Sequence, residues 1–211
     1  MKAAAAYGDL LAMGRPVVTT REAAARWRTG QGTAGRRLRA LEEASLVRHL
    51  RRGFWALDRE LDPFALAPYL TAPFPAYVSL WSALSRHEMI EQIPRRVSIA
   101  SLDRARLIET SLAAFDVHHL APELFGGYEG SDRSGFLATP EKAIFDLVYV
   151  RAAAGSKAYL PELTLPQGFE GERVDAWVDR IAATRLRTLV SRRIVEVVGQ
   201  AKAVSRPASR R

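Results

Sequence analysis

Arginine is the residue type whose placement carries the most chemistry in this chain. Ten arginines fall between Arg15 and Arg52, and residues 1–59 hold 12 Lys and Arg against 5 Asp and Glu. That is a net of +7 out of the chain's +8, so the remaining 152 residues are close to balanced. Charge concentrated on one short segment suits a partner with a dense row of anions, and a nucleic-acid backbone is the usual one. The positions narrow this further. On a helix from about Thr33 to Ala44, Ala34, Leu38 and Leu41 recur at i, i+4 and i+7 and form a buried stripe. At 100° per residue, Arg36 and Arg39 then lie on the opposite side, with Thr33 and Arg37 flanking them. An outer face of arginine alone suits a major groove, where guanidinium groups pair with guanine edges or phosphates. Arg51-Arg52-Gly53 lies between two apolar runs and suits a phosphate or minor-groove contact.

These side chains need elements to hold them. Ala3 to Met13 favours helix, with Tyr7, Leu10 and Leu11 on one stripe and Gly14 and Pro16 as stops. Thr19-Thr20-Arg21-Glu22 fits a capping box opening a second helix that places Ala23, Ala24 and Trp27 on one face. Thr29-Gly30-Gln31-Gly32 is a turn of the length that joins the helices of a helix-turn-helix. Residues 46–50 and 54–57 read as two short strands. Phe54 and Trp55 face opposite sides, so at least one packs the hairpin onto the helices, and His49 reads as a half-exposed strand residue. Residues 1–60 therefore read as a winged helix-turn-helix. Its DNA-binding candidates are Arg21, Gln31, Thr33, Arg36, Arg37, Arg39, Arg48, Arg51 and Arg52. Ser45 stands where such a helix commonly ends in glycine, which predicts a strained or altered turn there.

Asp62-Pro63, Pro68, Pro73 and Pro75 predict a connector over 61–76 without regular helix or strand, held down by its aromatic and apolar residues. Residues 77–200 read as a mixed α/β domain with a small sheet. It carries a helix over 77–89, strands near 97–100, 107–110 and 114–118, and a loop at Gly126, Gly127 and Gly130. Thr139-Pro140-Glu141 starts a helix with an N-cap, a proline in the first turn and an acidic residue at the positive end. Two more helices follow near 172–182 and 184–200. Residues 201–211 read as a basic, disordered tail. The fold class is α+β.

Enzyme chemistry finds little footing. The chain has no cysteine, which excludes disulfides and thiolate metal sites and suits a reducing cytoplasm. His118 and His119 are adjacent, so on a strand they face apart and share no metal. His87-Glu88 reads as an ordinary helix end, and no phosphate-cradling glycine loop, nucleophile elbow or dinucleotide fingerprint is present. Glu141, Lys142 and Asp146 resemble fragments of a nuclease site. However, the helix dipole accounts for Glu141, Lys142 reads as a surface residue, and Asp146 has no evident partner. No catalytic residue, metal or cofactor is expected. No apolar run is long enough for a secretory signal or a membrane span, so a cytoplasmic protein with no membrane contact is expected.

Three phrases in the larger domain resemble the abortive-infection AbiEi family, the antitoxins of type IV toxin–antitoxin systems. The first is Tyr77-Val78-Ser79 followed by Ala83-Leu84 and His87. The second is Pro122-Glu123-Leu124-Phe125-Gly126. The third, and most specific, is Ala138-Thr139-Pro140-Glu141-Lys142-Ala143-Ile144-Phe145-Asp146-Leu147. With the N-terminal module in the expected order, the resemblance covers roughly residues 5–195. It departs at Glu88, where the family often has glycine. The resemblance implies a repressor that binds inverted repeats in double-stranded DNA at its own operon and counteracts a nucleotidyltransferase-like toxin without needing a stable complex. It makes Glu141, Lys142 and Asp146 motif residues of the antitoxin domain. A homodimer on two half-sites is the usual arrangement for such modules. Two other readings remain open: an effector-sensing winged-helix transcription factor, and a nucleic-acid-acting enzyme with a winged-helix targeting module.

Overall fold

The computed structural model describes residues 3–158, 160 and 162–203, and these form an α+β structure. The N-terminal part runs α1 (Ala3–Leu11), β1 (Val17–Thr19), α2 (Thr20–Arg26), α3 (Gln31–Glu43), β2 (Arg48–Arg51) and β3 (Phe54–Ala56). Its three strands make an antiparallel sheet in the order β1-β3-β2. Leu10, Ala23, Leu38, Leu41, Val47 and Trp55 form the core between helices and sheet. The capping box at α2 is complete: Thr19 Oγ1 accepts from the Glu22 amide at 3.1 Å, and the Thr19 amide donates to Glu22 Oε2 at 2.7 Å. Two details differ from the sequence pattern. Val17–Thr19 is a strand, and α3 begins at Gln31 because Gly30 in extended conformation serves as its N-cap.

The proline-rich connector is more regular than its composition predicts. A 3-10 turn over Pro63–Leu66 leads directly into α4 (Ala67–Thr71), and β4 (Ala76–Val78) follows. Pro63 and Pro68 both stand in the first two positions of their helices, where the missing N–H has no intrahelical partner to lose.

The chain continues through α5 (Leu80–Arg86), β5 (Val97–Ser101), β6 (Arg106–Glu109), β7 (Ala114–His119), a 3-10 turn (Pro122–Leu124), β8 (Tyr128–Ser131) and β9 (Gly135–Ala138). The last elements are α6 (Pro140–Ala153), β10 (Thr164–Leu165), α7 (Gly171–Val178), α8 (Thr184–Gly199) and β11 (Lys202–Ala203). A mixed six-stranded sheet has the order β6-β7-β5-β4-β9-β8. It is larger than the sequence pattern predicts, because Tyr77-Val78 is extended rather than helical and Gly130 lies within a strand. Strand alternation divides its side chains between two faces. Tyr77 and Ala100 point into the core shared with α5 to α8. Val78, Ile99, Phe115 and Val117 point into a second core with Leu66, Ala67 and Leu70, which also takes in Val17, Leu50 and Ala56 of the N-terminal sheet.

The turn between β6 and β7 reinforces this junction. The Ser111 amide donates to the Leu50 carbonyl at 2.8 Å and Ser111 Oγ to the His49 carbonyl at 2.6 Å. Lys202–Ala203 forms a short parallel pair with β10 where the sequence pattern predicts a disordered tail, and residues 204–211, the rest of that expected tail, lie outside the described residues.

α2, α3, α5 and α6 end with the same pair of hydrogen bonds. In α3 these run from the Ser45 amide to the Glu42 carbonyl and from the Leu46 amide to the Leu41 carbonyl. This stop places one residue in the left-handed region, which glycine adopts most readily. α6 supplies Gly155, but α2, α3 and α5 use Arg28, Ser45 and Glu88, at φ 49°, 58° and 56°. The strain expected at Ser45 is therefore present, and the glycine-deficient position at Glu88 is its twin. We predict that Ser45→Gly and Glu88→Gly each stabilise the protein by about 1 kcal/mol, read as higher denaturation midpoints with unchanged slope. A lower midpoint for both would refute the strain.

Candidate nucleic-acid interface and buried ion-pair network

Helix α3 buries Ala34, Leu38 and Leu41 and leaves its other side to water. Arg36 and Arg39 are exposed on that side, Gln31 is exposed at its start, and Thr33 and Arg37 are half-buried beside them. Arg36 donates to Thr33 Oγ1 at 3.1 Å, and the Arg37 guanidinium sits 5.9 Å from the Trp27 ring. In the hairpin Arg52 is exposed, while Arg51 is half-buried over Phe54 at 5.1 Å. Gln31, Arg36, Arg39 and Arg52 line one open concavity of about 570 Å³ between α3 and the β2–β3 hairpin. Thr33, Arg37, Arg48 and Arg51 stand outside it, as does Arg21, which is exposed on α2. Arg48 differs from the rest because its guanidinium donates to the Ser111 carbonyl at 3.0 Å and ties the hairpin to the β6–β7 turn.

Among the described residues, Arg21, Arg36, Arg39 and Arg52 have no carboxylate within 4.0 Å, whereas Arg15, Arg86, Arg96, Arg106, Arg173 and Arg192 do. Arg36, Arg39 and Arg52 share the concavity with one carboxylate, that of Glu42, so positive charge is in excess there and an anionic partner relieves the repulsion. Sequence reasoning missed three residues in this concavity. Thr20 accepts a hydrogen bond from Trp55 Nε1 at 2.9 Å, Glu42 accepts one from the His49 amide at 2.9 Å, and His49 packs 4.5 Å from the Trp55 ring. Period-two alternation puts His49 on the face of Arg51, but the register shift between His49 and Arg51 turns its ring toward α3.

The second constellation lies in the core. Lys142, predicted to be a surface residue, is fully buried and pairs with fully buried Asp146 one turn along α6. The helix start itself is as expected, with Thr139 Oγ1 accepting from the Lys142 amide at 3.3 Å. α6 is apolar nearly all round, and every residue from Glu141 to Val148 is buried, so a side chain at any azimuth enters the core. Lys142 Nζ also donates to the Leu124 carbonyl at 2.8 Å and lies 4.4 Å from the Trp177 ring and 4.7 Å from the Phe145 ring. Asp146 Oδ2 accepts from Ser79 Oγ at 2.7 Å and from the Tyr77 hydroxyl at 3.0 Å. Burial and the adjacent Asp146 carboxylate push the Tyr77 hydroxyl far above the usual phenol range, so it stays protonated and donates. Glu141 is not part of this network; its Oε1 accepts from the Glu170 amide at 3.1 Å.

All three of the phrases singled out in the sequence therefore meet at one point. Tyr77 and Ser79 come from the first, the Leu124 carbonyl and the Phe125 ring (5.1 Å from Tyr77) from the second, and Lys142 and Asp146 from the third. The partner that the sequence could not supply for Asp146 is a set of three. Both ends of the pair are sealed from water, so the geometry suits fold maintenance rather than contact with a substrate. No protein-family model matches the chain, and no curated protein matches it.

Removing one end of such a pair strands the other as an unpaired buried charge. We predict that Asp146→Ala costs about 3–5 kcal/mol, while Lys142→Met combined with Asp146→Leu recovers most of the loss, both measured by urea denaturation. A near-wild-type midpoint for Asp146→Ala would exclude the structural role.

Proposed function

We propose that residues 1–60 are a winged helix-turn-helix that binds double-stranded DNA, with α3 in the major groove and the β2–β3 hairpin as the wing. One observation carries this reading: exposed arginines without carboxylate partners converge, together with Gln31, on a concavity between helix and hairpin. A guanidinium reaching a base edge pairs bidentately with guanine, and one on the hairpin meets phosphate. Arg48 is assigned to the junction with the β6–β7 turn, and Arg51, Arg37 and Arg21 to the flanks of the contact.

We further propose that the whole chain acts as an autorepressor of its own operon and as the antitoxin of a type IV toxin–antitoxin system, opposing a nucleotidyltransferase-like toxin. This part rests on the resemblance of the three phrases. Their meeting in one buried network supports treating them as a single structural signature, in which Lys142 and Asp146 maintain the fold. Two copies would read the two halves of an inverted repeat.

Fluorescence anisotropy with the chain's own upstream DNA and with a random duplex tests the DNA reading. Arg36→Ala and Arg39→Ala should each lose about 1–3 kcal/mol of preference for the upstream DNA. Arg52→Ala should weaken both duplexes alike and reduce the log–log salt slope by about one unit. Equal losses on both duplexes for all three variants would remove base reading by α3. No binding even at low salt would remove the proposal.

A further inference from the structure

The arginine concavity between α3 and the β2–β3 hairpin holds one side chain of the wrong sign for a phosphate partner. Glu42 lines it together with Arg36, Arg39 and Arg52, and a carboxylate turned toward DNA repels the backbone. It is exposed in the last turn of α3, the end of a helix where the dipole favours a cation. Among the described residues no guanidinium or ammonium lies within 4.0 Å of it. Arginine or lysine at this position would suit both the helix end and the phosphates.

The fold gives the carboxylate a set place. Its Oε1 accepts from the His49 amide at 2.9 Å, and the His49 ring rests 4.5 Å from Trp55. That bond does not call for a charge, because a glutamine carbonyl oxygen accepts the same N–H. A carboxylate is acceptor-only, with capacity beyond one bond. Gly32 and Gly35 line the same concavity. A Cβ at Gly32 would meet nothing within 4 Å, and one at Gly35 only Thr20 Cγ2 at 3.9 Å. Packing within the chain therefore requires neither glycine, and both leave the first half of α3 low enough for a duplex to come close.

We propose that Glu42 is a specificity-determining residue of the DNA contact, selecting a C·G base pair by accepting a hydrogen bond from cytosine N4. This inference rests on the DNA-binding reading. In the major groove cytosine offers its N4 donor, whereas guanine offers N7 and O6 acceptors, thymine an O4 acceptor, and adenine an N7 acceptor beside its N6 donor. An acceptor-only group is matched by the first and opposed by acceptors on the other three. About 4.5 Å of helix rise separates Glu42 from Arg39, close to the ~3.4 Å between successive base pairs. The two therefore address neighbouring pairs, guanidinium on guanine and carboxylate on cytosine. On a duplex without that cytosine the negative charge only repels, so discrimination comes from rejection as well as attraction.

Selection from a randomised duplex library with the full-length protein, followed by anisotropy on the selected site and on a random duplex, tests the assignment. The wild type should select a cytosine next to a guanine, and replacing that pair should weaken binding about tenfold or more. Glu42→Gln keeps an acceptor for the His49 amide. It should erase the cytosine preference, tighten binding to the random duplex severalfold, and leave the guanine preferences in place. Glu42→Ala should do the same, and it decides the question if the glutamine variant does not melt cooperatively. Glu43→Gln, at an exposed position outside the concavity, should change neither property. Unchanged base preferences in both Glu42 variants, or an equal gain on random DNA for Glu43→Gln, would overturn the inference while leaving DNA binding intact. Absence of binding to every duplex would instead remove the DNA reading, and the role of Glu42 with it.

Discussion

The ion pair between Lys142 and Asp146 is the constraint around which the larger part of the chain is organised. Taking both charges out of water costs several kcal/mol per ion, and mutual attraction offsets this only when the remaining hydrogen-bonding capacity is filled. Here a strand (Tyr77, Ser79), a 3-10 turn (the Leu124 carbonyl) and a helix (the Trp177 ring) each supply a part. Glycine 127 is shaped by the same demand: a side chain there would meet Trp177 at 2.7 Å and Lys142 at 3.1 Å. Segments far apart in the chain are brought to one point because each completes the solvation of a charge that none of the others could complete alone.

The opposite regime governs the N-terminal module. There Arg21, Arg36, Arg39 and Arg52 are left outside without an ion-pair partner among the described residues, positive charge outweighs negative, and the apolar stripe of α3 does the anchoring. One chain thus contains a buried charge pair enclosed by hydrogen-bond partners and aromatic rings, and exposed charges without ion-pair partners. The first arrangement fits a role in fold maintenance, and the second suits an interaction completed by another molecule.

The elements that were legible in the sequence are those whose signals are local. The Thr19–Glu22 capping box, the α3 stripe, the Thr139-Pro140 start of α6 and the left-handed turn at Ser45 all depend on neighbouring residues, and all are present. Signals that depend on distant partners were not legible. β4 is too short for periodicity and is fixed by pairing with β5 and β9. The connector prolines were read as breakers although two of them begin helices. Lys142 looked like a surface residue because nothing near it in sequence announces the carbonyl of Leu124 or the ring of Trp177. At the arginine concavity the residue types were legible, but the inclusion of Thr20, Glu42 and His49 depended on how the hairpin folds over α3.

The way Ser111 grips the edge of β2 bears on how far the first sixty residues are autonomous. Val17, Leu50 and Ala56 complete the core beneath the six-stranded sheet, and the backbone of Leu50 takes its outer hydrogen bond from that turn. A fragment cut at residue 60 would carry an apolar underside and an unsatisfied strand edge, a combination that invites self-association. The first sixty residues share their apolar underside with the strands that follow, and Arg48 is itself tied to the β6–β7 turn.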